Sequence, residues 1–83
     1  MSTKNPTTLE KVIAIVADKN DMKVEEVLPE SRLREDLGVD SLDQVEMVME
    51  IEDAFKVKFS DEEMEKIVTV QDAVELVEKK LKG

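Results

Sequence analysis

The run Asp40-Ser41-Leu42-Asp43-Gln44-Val45-Glu46-Met47-Val48-Met49-Glu50-Ile51-Glu52-Asp53-Ala54-Phe55 decides the fold. Its apolar residues recur at helical spacing. With each residue advancing about 100° and Leu42 set at zero, Met47, Ile51, Phe55 and Val48 fall at roughly 140°, 180°, 220° and 240°. That stripe is a core face. Leu42, Met49 and Val45 form a second stripe, at roughly 0°, 340° and 300°. Asp53, Glu46, Glu50 and Asp43 follow at roughly 20°, 40°, 80° and 100°, with Glu52 near 280°. One apolar stripe suffices for a surface helix. The second is therefore either more core, if this helix is deeply buried, or an exposed anchor ringed by carboxylates, as protein interfaces often are.

Helices are predicted on both sides of this run. Thr7 and Glu10 have capping-box spacing, and Leu9, Val12, Ile13 and Val16 follow at helical period. Asn20, a residue that tolerates the left-handed conformation, is expected to end that first helix. In the loop beyond it, Val24, Val27 and Leu28 are expected to point inward, and Pro29 breaks any helix. A short helical turn is expected over 31–37, with Leu33 and Leu37 as its apolar contacts and Gly38 as its end. Val57-Lys58-Phe59 reads as an extended link. Ser60 with Glu63 caps a brief helix carrying Met64 and Ile67. Thr69 with Asp72 caps the last helix, whose stripe is Val70, Ala73, Val74, Val77 and Leu81. Lys79, Lys80 and Lys82 suit the dipole at its end. The prediction is one all-α domain over 1–83, a small four-helix bundle of three longer helices and a short third, with residues 1–7 as a flexible lead-in.

Composition narrows the function. Eighty-three residues make one small domain, and at 41% apolar the chain can build a core. Only Phe55 and Phe59 are aromatic, so that core is mostly Val, Ile, Leu and Met. The net charge is −9. Residues 35–65 hold twelve acids against Lys56 and Lys58, a net of −10, and the remainder carries +1. Nucleic acid and acidic membrane surfaces are poor partners for such a chain. A basic protein surface is the natural complement. No segment has the apolar length of a membrane span or the pattern of a signal peptide. Taken as complete, the chain is expected to be unexported and cytoplasmic.

The chain has neither histidine nor cysteine. Ser-His and Cys-His catalysis cannot be built, nor can a thiolate metal site. Asp18 and Asn20 start like an EF-hand loop, but Lys23 stands where glycine is required. Ser41, at the mouth of the central helix, remains. With Gln44 it has capping-box spacing, so a capping role is one reading. The other is that its hydroxyl receives a phosphate ester, which a helix N-terminus favours.

The run Glu35-Asp36-Leu37-Gly38-Val39-Asp40-Ser41-Leu42-Asp43, then Val45-Glu46-Met47-Val48-Met49, resembles the acyl carrier proteins. Residues 61–73 (Asp61 to Ala73) match that family again, and the likeness extends from about Leu9 to Leu81. The resemblance implies that Ser41 receives 4′-phosphopantetheine from coenzyme A through a carrier-protein synthase. The arm then holds acyl chains as thioesters on a sulfur the chain itself lacks. It implies that Asp40 sits at the position associated with the synthase and its metal ion. Leu42, Asp43, Val45, Glu46, Met49, Glu50, Glu52 and Asp53 would dock basic patches of fatty-acid synthesis enzymes and acyltransferases. The bundle interior of the family can shelter the acyl chain. Asn20-Asp21-Met22, Glu50, Ser60 and Met64 depart from common family residues, all outside the Ser41 motif. The reading that follows is a monomeric, non-catalytic carrier of dissociated fatty-acid synthesis. The alternatives are a carrier for polyketide, peptidyl or other acyl groups, a cofactor-free acidic adaptor, and an enzyme that uses Ser41 directly.

Overall fold

The structure is a computed structural model that describes residues 7–82. The expected lead-in at 1–7 lies, except for Thr7, outside the described residues. The described residues form four helices, in order α1 (Thr8–Lys19), α2 (Ser41–Phe55), the five-residue α3 (Asp61–Glu65) and α4 (Val70–Lys82). A 3-10 turn, Val24–Glu26, lies in what the sequence reads as loop. α1 packs against both α4 and α2. No helix among the described residues is long and apolar enough to cross a membrane.

Local chemistry sets the ends of these helices. Thr7 Oγ1 accepts the Glu10 amide at 3.1 Å, and Glu10 Oε1 accepts the Thr7 amide at 2.9 Å. Ser60 and Glu63 do the same for α3 at 3.1 and 2.8 Å. At α4, Thr69 Oγ1 accepts the Asp72 amide at 3.1 Å, and Asp72 Oδ2 accepts the amides of both Thr69 and Val68 at 3.0 Å. The end of α1 differs from expectation. The left-handed residue is Asp21, at φ 61°, and Asn20 stays at φ −105°. Asn20 instead donates its side-chain amide to the Val16 carbonyl at 2.8 Å. The Met22 amide reaches back to Ala17 O at 2.8 Å and that of Asp21 to Asp18 O at 3.3 Å, a Schellman closure one residue later than expected.

The core is aliphatic apart from Met47 and Phe59. Val12 and Val16 from α1 meet Met47, Val48 and Ile51 from α2 and Val70, Val74 and Val77 from α4. Fully burying one such side chain contributes about 1.5–3 kcal/mol. The connections add Val27, Leu33, Val39, Phe59 and Ile67. Three expected core residues are not in it. Val24, Leu28 and Leu81 are each about half exposed. Val24 is carried by the 3-10 turn, which turns Val27 inward in its place, and Leu81 lies in the last turn of α4, beyond Val77.

The segment before α2 is strapped to the α3–α4 junction. Pro29 O accepts the Gln71 amide at 2.8 Å, Ser31 O the Val70 amide at 3.1 Å, and the Leu33 amide donates to Val68 O at 2.9 Å. Ser31 is buried, and its hydroxyl accepts the Leu28 amide at 3.1 Å. The expected helical turn over 31–37 is a single closed turn, with the Asp36 and Leu37 amides both on Arg32 O at 2.8 and 3.1 Å. Gly38 leaves it at φ 73°, in open space. Its need for glycine is therefore one of backbone conformation alone. The Val39 amide then bonds Leu33 O at 2.9 Å, which delivers Asp40 and Ser41 to the start of α2.

Candidate attachment site and docking face

Asp40 caps α2: its Oδ1 accepts the Asp43 amide at 2.8 Å. The Ser41–Gln44 capping box does not form. Gln44 turns away, donating Nε2 to Ile67 O at 3.0 Å and accepting from Arg34 Nε at 3.1 Å. Ser41 is thus the first helical residue, exposed, with no structural duty for its hydroxyl among the described residues.

The two apolar stripes of α2 part as the second reading requires. Met47, Val48 and Ile51 are buried and Phe55 packs on the core's edge. Leu42, Val45 and Met49 are 66%, 47% and 55% exposed. They lie on one face with exposed Glu46, Glu50 and Asp53. The acids are not equivalent. Lys19 of α1 places its Nζ 3.1 Å from Glu46 Oε1 and 3.4 Å from Glu50 Oε2. The hydrogen bond to Glu46 is the main reason the Lys19 pKa is raised. Glu52 is half-buried and accepts the Phe59 amide at 2.8 Å, so one of its oxygens serves the α2–α3 link. Asp43 is half-buried beside Ser41, and Asp53 makes no hydrogen bond or ion pair among the described residues.

A cleft of about 390 Å³ opens next to Ser41 between α2 and α3. Val45, Val48, Met64, Ile67 and Val68 give it apolar walls, and Arg32, Arg34, Glu35, Gln44 and Glu65 give it a polar rim. Arg32 is paired with Glu35 and Asp36. Its backbone amide, bonded to Asp36 Oδ2, is the main influence holding that carboxyl below its ordinary pKa. Arg34 and Gln44 were not singled out by sequence as site residues. Arg34 standing alone as a base between Leu33 and the acidic run was the available signal.

These residues fit a phosphopantetheine group. The exposed Ser41 hydroxyl could supply an ester oxygen, the first turn of α2 has free amides suited to a phosphate, and an apolar cleft lies alongside. Described this way, the molecule is a helical carrier that presents a serine beside an acidic face.

Comparison with known proteins agrees. Residues 10–77 match the family described as "Phosphopantetheine attachment site". The fold is similar to a solved acyl carrier protein from Enterococcus faecalis, with TM-score 0.75 and 36% identity over 88% of this chain and 92% of that one. It is also similar to an acyl carrier protein from Thermotoga maritima, with TM-score 0.74 and 39% identity over 87% of this chain and 84% of that one. The chain belongs to the phosphopantetheine attachment-site family. It is a carrier and not an enzyme, its cofactor is phosphopantetheine, and its partners are a pantetheinylating synthase and enzymes that handle acyl chains. Membership sets aside the cofactor-free adaptor and the serine enzyme.

Proposed function

We propose that Ser41 is the residue that carries 4′-phosphopantetheine, and that the chain serves as the acyl carrier of a dissociated, cytoplasmic fatty-acid synthesis system. The observation that carries this reading is the division of labour at the mouth of α2. Asp40 does the capping, and Ser41 is left exposed with its hydroxyl unused. Bound there, the group supplies a terminal thiol on which acyl chains are held as thioesters. Ser41 contributes the ester oxygen. Attachment would exchange the pyrophosphate bond of coenzyme A for the Ser41 ester, with adenosine 3′,5′-bisphosphate leaving and the hydroxyl proton passing to a base in the complex with the synthase.

The docking surface is Leu42, Val45 and Met49, with Asp40, Asp43, Glu46, Glu50, Glu52 and Asp53 around them. A basic partner that grips this face is brought directly to Ser41. Charge steering gives fast encounter without tight affinity, which suits a carrier that visits several enzymes in turn. The strongly acidic α2 favours the fatty-acid pathway over polyketide or peptidyl pathways, and the carrier acts as a monomer. Two measurements test this. Peptide mapping after synthase treatment should place the adduct on the fragment holding Ser41. Reconstitution should show chain elongation with basic, dissociated fatty-acid enzymes. An adduct on another residue, or loading only by polyketide or peptidyl enzymes, contradicts the corresponding half.

A further inference from the structure

The neighbourhood of Ser41 has an electrostatic problem that one side chain can solve. Asp40 and Asp43 flank the serine in sequence, and Glu35 and Glu65 line the adjoining cleft. A phosphodiester on Ser41 adds another negative charge to that group. The amides of the first turn of α2 offset part of it. Two guanidinium groups share the cleft with Ser41, but they are not equivalent. Arg32 already faces Glu35 and Asp36. Arg34 pairs with no carboxylate among the described residues. Its Nε–H donates to the neutral Gln44 Oε1 at 3.1 Å. Gln44 is itself pinned by the bond from Nε2 to Ile67 O at 3.0 Å. Gln44 and Ser41 line the same cleft. Arg34 is therefore fixed, through one nitrogen, in the cleft that Ser41 also lines, with its two terminal nitrogens left to donate. That fork matches two phosphate oxygens.

We infer that Arg34, oriented by Gln44, is the cation that receives the phosphodiester of the arm, anchoring the root of the arm along the cleft. This rests on Ser41 being the attachment residue. It explains why a strongly acidic surface keeps an unpaired guanidinium at this point, and it assigns Gln44 a positioning role.

The test uses the full chain before and after treatment with a carrier-protein synthase and coenzyme A. Intact mass first establishes that the group is attached. The Arg34 Nε–H and Nη resonances are then followed by ¹⁵N NMR, and the arm by ³¹P NMR. Attachment should shift the Arg34 side-chain signals and resolve its Nη protons through slowed rotation. Arg34→Gln should move and narrow the ³¹P resonance as the root of the arm is released, with Arg34→Lys restoring only part of the wild-type position. Because Arg34 is exposed, circular dichroism should show all forms folded. Attachment at Ser41 with Arg34 signals unmoved, and an identical ³¹P resonance in Arg34→Gln, overturns this inference and leaves the attachment intact. Absence of an adduct on Ser41 overturns both.

Discussion

Asp40 and Asp43 are joined by a 2.8 Å hydrogen bond from the Asp43 amide to Asp40 Oδ1, and that bond frees the serine between them from capping. Losing an N-cap of this kind costs about 1 kcal/mol. For a domain of this size that is a fall in Tm of roughly 4–8 °C. Asp40→Ala should show it and Ser41→Ala should not. Thermal melts of the two variants check the assignment; an equal or larger loss in Ser41→Ala would return the cap to the serine.

The two faces of α2 should respond oppositely to substitution. Ile51 is buried in the core, and truncating it to Ala should cost about 2–5 kcal/mol. That is a large fraction of the stability of a domain this small. Met49→Gln, on the exposed stripe, should stay within about 0.5 kcal/mol. The same exposed substitution should weaken turnover with partner enzymes, and Asp43→Lys should do so more strongly at low salt than at high. Denaturant melts set beside partner kinetics check both halves. Undiminished turnover of Asp43→Lys at low salt contradicts the docking face.

Lys19 bridges Glu46 and Glu50 and so relieves repulsion within the most acidic stretch. Lys19→Gln should lower Tm at low ionic strength, with the deficit shrinking as salt is added. Mg²⁺ or salt should raise the Tm of the parent protein, since concentrated like charge opposes compaction. A flat response to salt in both proteins would mean that the acids do not repel one another appreciably in the folded state.

Glu63 is held below the ordinary carboxylate pKa, first by the Ser60 amide and then by Lys80, whose Nζ lies 2.9 Å away. A depressed carboxylate means that the unfolded state binds more protons, so this contribution is present at neutral pH and is lost as pH falls through the folded value. Glu63→Gln should therefore be less stable than the parent at neutral pH, with the gap closing below the carboxylate range. Tm against pH measures it; a gap that does not change with pH would assign the loss to shape rather than charge.

Much of this was legible in the residues because local signals agree with the tertiary arrangement. The capping boxes at Thr7, Ser60 and Thr69, and both stripes of α2, appear where their spacing predicts. What could not be read depends on contacts between segments distant in sequence. Whether Leu42, Val45 and Met49 were core or surface turned on where α1 and α4 pack. Gln44 has capping-box spacing from Ser41, yet Ile67 O, twenty-three residues on, takes its amide. Val24 and Leu28 look like core by hydropathy, but the 3-10 turn and the strap from Pro29 and Ser31 to α4 leave them half exposed. Asn20 is the better left-handed residue intrinsically, but with its side chain bonded to Val16 O it stays at negative φ, and the reversal falls on Asp21.

The central claim is that Ser41 carries the arm. Intact mass spectrometry after incubation with a carrier-protein synthase and coenzyme A tests it most directly, applied to the parent chain, Ser41→Ala and Ser60→Ala. Ser60 is the control, since it is also an exposed serine at a helix mouth. The account predicts one phosphopantetheine added to the parent and to Ser60→Ala, and none to Ser41→Ala. No addition to the parent, or addition that persists in Ser41→Ala, would contradict it.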